Sequence, residues 1–176
     1  MSSFNPHRHH RRSIRLRGYD YSEPGAYFLT ICTHGREALL GTVVDGGVRL
    51  SAYGGIALRC WEELPSHYPH VGLDAFVVMP NHIHAVVVLD GDAHADDVEA
   101  GFKPSPTGRH GLGEIVRAFK TFSARRVNAA RGTPGARVWQ RNYYERIVRD
   151  EPELDRIREY IFNNPANWES DEYYAV

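Results

Sequence analysis

Only two cysteines, Cys32 and Cys60, occur in the 176 residues. They offer no disulfide framework and no metal-finger spacing, so stability must come from a packed core, and a reducing cytoplasm is the simplest setting. No apolar run approaches the ~20 residues that a membrane-spanning helix needs, so no membrane partner is expected. The start of the chain is rich in Arg and His and has no apolar stretch, which excludes a secretory signal. Internal repeats are also missing. What the chain lacks most visibly is net charge. Lys and Arg total 21 against 22 Asp and Glu, for a formal charge of -1, which argues against a uniformly basic nucleic-acid binder.

That small total is a sum of large opposed blocks. Residues 1–17 carry five arginines and no acid. Residues 90–99 carry five acids and no Lys or Arg, and residues 101–149 carry eleven basic residues against Glu114 and Glu145. Residues 150–176 carry eight acids against Arg156 and Arg158. Basic blocks suit a polyanionic partner, although such a run is also what a solvated helix face and a loose tail would show.

Hydrophobic residues make up 42%, enough for one globular domain. Residues 1–17 read as a basic, disordered N-terminal arm and residues 18–176 as a single domain. Ala26–His34 has the aromatic and β-branched content of a strand. Asp45-Gly46-Gly47 between Thr42–Val44 and Val48–Leu50 signals a tight hairpin. Ile56, Cys60 and Leu64 recur at helical spacing behind Ser51, a capping residue. Two Val-rich strands, Leu73–Met79 and His82–Leu89, flank Pro80-Asn81. Asp90–His110 lacks periodicity and reads as a flexible insert. Leu112 to Ala130 is an amphipathic helix with Arg117, Lys120 and Arg125 on its polar side. Val138–Val148 reads as extended, and Glu151–Asn163 as a final helix with Leu154, Ile157 and Ile161 inward. This order suggests an α+β fold, an antiparallel sheet with helices on one face in the ferredoxin-like arrangement.

Two groups of residues carry potential chemistry. His82 and His84 stand at i and i+2 in a strand, so both imidazoles leave the same face and can converge on one metal ion, with a third ligand from elsewhere. The same pattern also fits a polar strand start beside a turn. Tyr160 and Asn164 stand at i and i+4, so they share a helix face. A tyrosine hydroxyl can be a covalent nucleophile and an amide oxygen a metal ligand. Spacing alone does not select Tyr160 over Tyr143 or Tyr144. Trp139, Tyr143 and Tyr144 could stack on unpaired bases or fill the core.

Four stretches then resemble one family. They are Gly18-Tyr19-Asp20-Tyr21 with Gly25-Ala26-Tyr27-Phe28-Leu29-Thr30; Val77-Val78-Met79-Pro80-Asn81-His82-Ile83-His84; Phe119-Lys120-Thr121-Phe122 with Val138-Trp139-Gln140-Arg141-Asn142-Tyr143-Tyr144-Glu145; and Tyr160-Ile161-Phe162-Asn163-Asn164-Pro165. In this order they resemble the REP-associated tyrosine transposases, IS200-like members of the single-tyrosine HUH superfamily, over about residues 12–170. The resemblance implies a ferredoxin-like (RRM-like) domain whose C-terminal helix carries the nucleophile, Tyr160. It implies a divalent metal, Mg²⁺ or Mn²⁺, held by His82 and His84 and completed by Asn164. It also implies cutting and rejoining of single-stranded DNA at palindromic-repeat hairpins through a 5′-phosphotyrosine bond, by a monomer or homodimer. Arg12, Arg15, Arg17 and Tyr19 map loosely onto the family's DNA-facing region, and Arg117 and Lys120 are expected to add phosphate contacts. The acidic run Asp90–Glu99 is a departure for a DNA-facing protein. The short stretch after Tyr160 is expected to leave no separate C-terminal DNA-binding domain. Two other readings stay open: a non-catalytic RRM-like nucleic-acid-binding protein, and a metal hydrolase using water as nucleophile.

Overall fold

The structure, a computed structural model, describes residues 20–91 and 110–174. The expected arm with Arg12, Arg15, Arg17 and Tyr19, and nearly all of the acidic insert, lie outside the described residues. The chain runs β1 (Gly25–Cys32), β2 (Gly41–Val44), β3 (Gly47–Leu50), α1 (Ala52–Glu62), the short α2 (Leu64–His67), β4 (Val71–Val78), β5 (His82–Leu89), α3 (Leu112–Ala130), β6 (Tyr144–Val148) and α4 (Glu151–Asn163). Single turns of 3₁₀ helix follow β1 at His34–Arg36 and α4 at Trp168–Ser170.

β4, β5, β1 and β6 lie side by side in that order, every neighbour antiparallel. Taking these four as the strands of a β-α-β-β-α-β chain, the first lies between the third and the fourth, which is the ferredoxin-like order. β2 and β3 form a separate ribbon. Asp45 (φ 51°) and Gly46 (φ 72°) form its two-residue loop, and two left-handed residues match the strand twist as a type I′ turn.

Strand parity divides the packing into two layers. Tyr27, Leu29 and Ile31 of β1 and Ile83, Ala85 and Val87 of β5 meet Trp61 of α1 and Phe119 of α3 in the main core. Phe28 and Val86, on the alternate positions, meet Leu154 and Ile161 of α4. So α1 and α3 cover one face as expected, whereas α4 lies on the other. Its apolar stripe has an apolar patch to cover there, beside the start of β5.

Helix starts follow local chemistry. Ser51 Oγ accepts from the Gly54 N–H at 3.0 Å, and Asp150 Oδ1 accepts from the Glu153 N–H at 2.7 Å. One expected strand is shorter than its sequence suggests. Of Val138–Val148, only Tyr144–Val148 joins the sheet, with Trp139 making an isolated bridge to Thr33. The Lys120 ammonium donates to the carbonyls of Gln140 (2.6 Å), Arg141 (3.0 Å) and Asn142 (3.4 Å), which pulls that stretch out of the ladder. The Trp139 indole N–H donates to Ser123 Oγ at 2.9 Å inside the core, so this ring packs rather than waits for a base. Among the described residues no helix is long and apolar enough to cross a membrane. Cys32 and Cys60 are buried and free.

Candidate active site

β5 begins at His82, and its period of two sends His82 and His84 to the α4 face, opposite Cys32 and Thr30 of β1 in register. The turn before it is tightly held. The N–H groups of Thr33 and Leu40 donate to the Asn81 and Pro80 carbonyls, both at 2.9 Å. Asn81, almost fully buried, accepts at Oδ1 from His82 Nδ1 at 2.8 Å, and its Nδ2 donates to the Tyr173 carbonyl at 2.8 Å. An amide oxygen can only accept, so the His82 ring proton sits on Nδ1 and its Nε2 carries a lone pair. Thr30 Oγ1 lies 2.9 Å from His84 Nδ1 and orients that ring, although a hydroxyl, which both donates and accepts, does not fix its proton.

The two Nε2 atoms then face each other at 3.0 Å. Burial pushes both imidazoles down to about 3, with Arg36 adding to this at His82 and the charge of His82 adding to it at His84, so both are neutral at physiological pH. Two neutral nitrogens aimed at one point, each oriented through its other nitrogen, make a site for a cation.

The Asp171 carboxylate completes the set. Ligating atoms of His82, His84 and Asp171 all lie within 4.8 Å of one another. Asn164, the residue expected to complete the set, caps α4 beside it. Its Nδ2 donates to Asp171 Oδ2 at 2.6 Å, and its buried Oδ1 has no hydrogen-bond partner among the described residues. An orphaned buried acceptor beside a carboxylate and two imidazoles is a donor set that a divalent metal fits, with mixed N and O character.

Tyr160 projects from α4 over this point. Its hydroxyl lies 3.2 Å from His84 Nε2, its ring meets Phe28 edge-on, and it is 42% exposed. Burial, then the charges of Asp171 and Glu172, push the phenol up to about 12. Of Tyr143 and Tyr144, which spacing could not separate from Tyr160, Tyr144 begins β6 opposite Thr30, on the sheet face of the histidines, and Tyr143 precedes the strand. Tyr144 reaches the Phe28 ring, and Tyr143 packs over the Lys120 ammonium.

Two site residues had no sequence signal. Asp171 is one of the eight acids of residues 150–176, and no spacing or motif sets it apart from the others. The Tyr173 ring lies 4.7 Å from the His82 ring, tilted by 41°, and sits under the Arg36 guanidinium. Both arrive because Pro165 ends α4 and the 3₁₀ turn Trp168–Ser170 folds the chain back over the histidines.

Beside the histidines, a groove of about 970 Å³ runs between α3 and residues 136–144. Arg36, Arg117, Arg137 and Arg141 line it, and Thr30 and Tyr173 form its end at the histidine pair. Arg117 is largely exposed, and among the described residues its one ion pair is with Glu114, at 3.4 Å. Lys120 also lines it, but burial pulls its ammonium down to about 8 and its hydrogen bonds go to the backbone carbonyls of residues 140–142.

No family model matches the chain. A Haemophilus influenzae protein of uncharacterised role is 38% identical over 99% of this chain and 98% of its own length. A second H. influenzae protein, whose name assigns it provisionally to the REP-associated tyrosine transposases, is 24% identical over 84% of this chain and 73% of its own. The solved structure of a REP-associated tyrosine transposase bound to a REP hairpin superposes with a TM-score of 0.58, at 21% identity, over 88% of this chain and 73% of that one. The chain is thus similar in sequence to a protein named for the REP-associated tyrosine transposases, and it shares the fold of the solved one.

Proposed function

We propose that this protein nicks and rejoins single-stranded DNA beside hairpins formed by palindromic repeats, through a covalent bond between Tyr160 and a 5′-phosphate. One observation carries the reading: a tyrosine hydroxyl lies 3.2 Å from one of two buried imidazoles whose Nε2 atoms face each other at 3.0 Å. A nucleophile beside a cation site is the arrangement that in-line attack on a phosphodiester needs.

In the proposed step, the Tyr160 oxygen attacks phosphorus and loses its proton. The bond to the 3′ oxygen breaks, and that oxygen leaves as a hydroxyl after gaining a proton. Bond energy is kept in the phosphotyrosine, so a 3′-hydroxyl can reverse the step and rejoin strands without ATP. His82, His84 and Asp171, with the orphaned Asn164 oxygen, would hold the divalent cation. It would supply positive charge against a non-bridging oxygen and against the phenolate, which matters for a phenol pushed up to about 12. Mn²⁺ suits a two-imidazole site, and Mg²⁺ follows from availability. Asn81 and Thr30 hold the rings in orientation. Arg36, Arg117, Arg137 and Arg141 supply a basic groove for the strand, and such contacts set affinity and salt dependence rather than sequence. Arg12, Arg15, Arg17 and Tyr19 are proposed to extend those contacts.

The test is cleavage of labelled hairpins with single-stranded flanks, taken from palindromic repeats near the gene, in Mn²⁺, Mg²⁺ or EDTA. A protein–DNA adduct on a denaturing gel is expected with metal and absent with EDTA. Tyr160→Phe should form no adduct and cut nothing while still binding. Undiminished cutting by Tyr160→Phe would remove Tyr160 as the nucleophile. Metal-independent DNA binding with no cutting, unchanged in His82→Ala, would leave a binding protein of RRM-like shape.

A further inference from the structure

α4 carries two arginines in an acidic stretch, and they have opposite fates. Arg158 is spent: it pairs with Asp74 at 2.7 Å and with Glu151 and Asp155 at 3.0 Å each. Arg156 forms no ion pair with any acid among the described residues, and it is exposed. It stands one turn before Tyr160, and Asn163 stands almost one turn after, so Arg156, Tyr160 and Asn163 share a stripe. That stripe lines a cleft of about 370 Å³ whose floor includes Asn164, Asn167, Ser170 and Asp171.

Two features of this cleft point to a ligand. Its cation is uncompensated although Glu159 also lines it, so the neighbouring carboxylate is not what Arg156 serves. The Asn163 side chain makes no hydrogen bond among the described residues, whereas the Asn167 amide is already donating to the Asn163 carbonyl at 3.0 Å. The cleft also lies on the α4 side of Tyr160, while the basic groove approaches along β6 and α3. The two recesses share no lining residue, so a strand held in the groove would need the cleft for the stretch beyond Tyr160.

We infer that Arg156 and Asn163 form a phosphate subsite for the DNA backbone next to the scissile position, on the side away from the groove. The inference rests on the nicking reading for what the strand is doing there. The subsite itself is a claim about binding. A guanidinium presents paired N–H donors that match two phosphate oxygens, and the Asn163 amide adds a donor one helical step beyond the nucleophile. Holding the phosphate on each side of the scissile one fixes the line of attack.

The experiment uses the full chain carrying Tyr160→Phe, which prevents covalent capture. Its probe is a labelled thymidine oligonucleotide of about twelve residues, a length in the range of single-strand binding sites. Affinity is read by fluorescence anisotropy from about 50 to about 200 mM salt. Adding Arg156→Gln should weaken binding several-fold at low salt and reduce the slope of log affinity against log salt by about 0.7, the value for one lost single-strand phosphate contact. Arg156→Lys should restore most of the slope. An unchanged slope in Arg156→Gln overturns the subsite. In a Tyr160 background, Arg156→Gln should raise KM with little change in kcat. A lost kcat at constant KM would overturn the flanking assignment and put Arg156 on the scissile phosphate. The two readings fail separately. An adduct from the unaltered protein with an unchanged Arg156→Gln slope removes the subsite alone. An Arg156-dependent slope without any adduct removes the nicking alone.

Discussion

Gly54 and Gly55 sit side by side in the first turn of α1, and alanine should act on them with opposite sign. Helix propensity treats them alike, since replacing a helical glycine with alanine gains roughly 0.5–1 kcal/mol. Tertiary contact does not. A Cβ on Gly54 would meet the Leu40 carbonyl oxygen at 1.9 Å and its carbon at 2.9 Å, both backbone atoms. A Cβ on Gly55 would meet only the Arg59 guanidinium at 3.5 Å, the far end of a flexible side chain. Ordinary contact at Gly54 requires the backbone to open by about 1 Å or more, and interiors packed to crystal density do not yield that cheaply. Overpacking of this kind costs ~1–3 kcal/mol and occasionally more, so Gly54→Ala should be destabilised by roughly 1–3 kcal/mol net while Gly55→Ala is stabilised by up to ~1 kcal/mol. Urea denaturation of both variants reads this as midpoint shifts of opposite sign. The strain should also reach the site. The Leu40 carbonyl accepts from the Ser51 N–H, and the Leu40 N–H donates to the Pro80 carbonyl just before Asn81 and His82, both at 2.9 Å. Mn²⁺ affinity by calorimetry should therefore fall in Gly54→Ala and hold in Gly55→Ala. A Gly54→Ala protein as stable as the unaltered chain would refute the reasoning, because the carbonyl would then have room to move.

Asn81→Ala removes the acceptor that fixes the His82 proton on Nδ1, and a tenfold to hundredfold loss of Mn²⁺ affinity is expected, measured by calorimetric titration. Asp171→Ala should also weaken the metal, and it should lower the titration of the Tyr160 phenol in metal-free protein, followed by tyrosinate absorbance, since the Asp171 charge helps to push it up. Lys120 gives a pH signature. Its ammonium is pulled down to about 8 when folded, from 10.5, so between those values the unfolded chain holds more protons and the Lys120 contribution to stability rises with pH. Lys120→Met should abolish that rise, seen as a difference between the two proteins in urea midpoints measured across the window. A parallel pair of curves would show that Lys120 is not the titrating group.

The elements and the paired histidines were legible because they depend on local periods. A strand alternates faces, so His82 and His84 had to leave one side together. A helix returns every 3.6 residues, so Tyr160 and Asn164 had to lie within one turn on one stripe. The charge blocks were legible too, and the basic block at 101–149 does line the groove through Arg117, Arg137 and Arg141. Tertiary structure decided the rest, because each remaining question turns on which distant segment arrives. α4 took the face opposite α1 and α3 because Phe28 and Val86 offered it a patch to bury. Lys120 looked like a phosphate contact, but the carbonyls that occupy it come from residues 20 to 22 positions away. Asp171 and Tyr173 join the histidines only through the turn after Pro165, and Asp74, from β4, joins Glu151 and Asp155 on Arg158 while no acid among the described residues reaches Arg156. Chain order holds none of those meetings, since they are set by how the sheet, the two helix layers and the C-terminal turn close on one another.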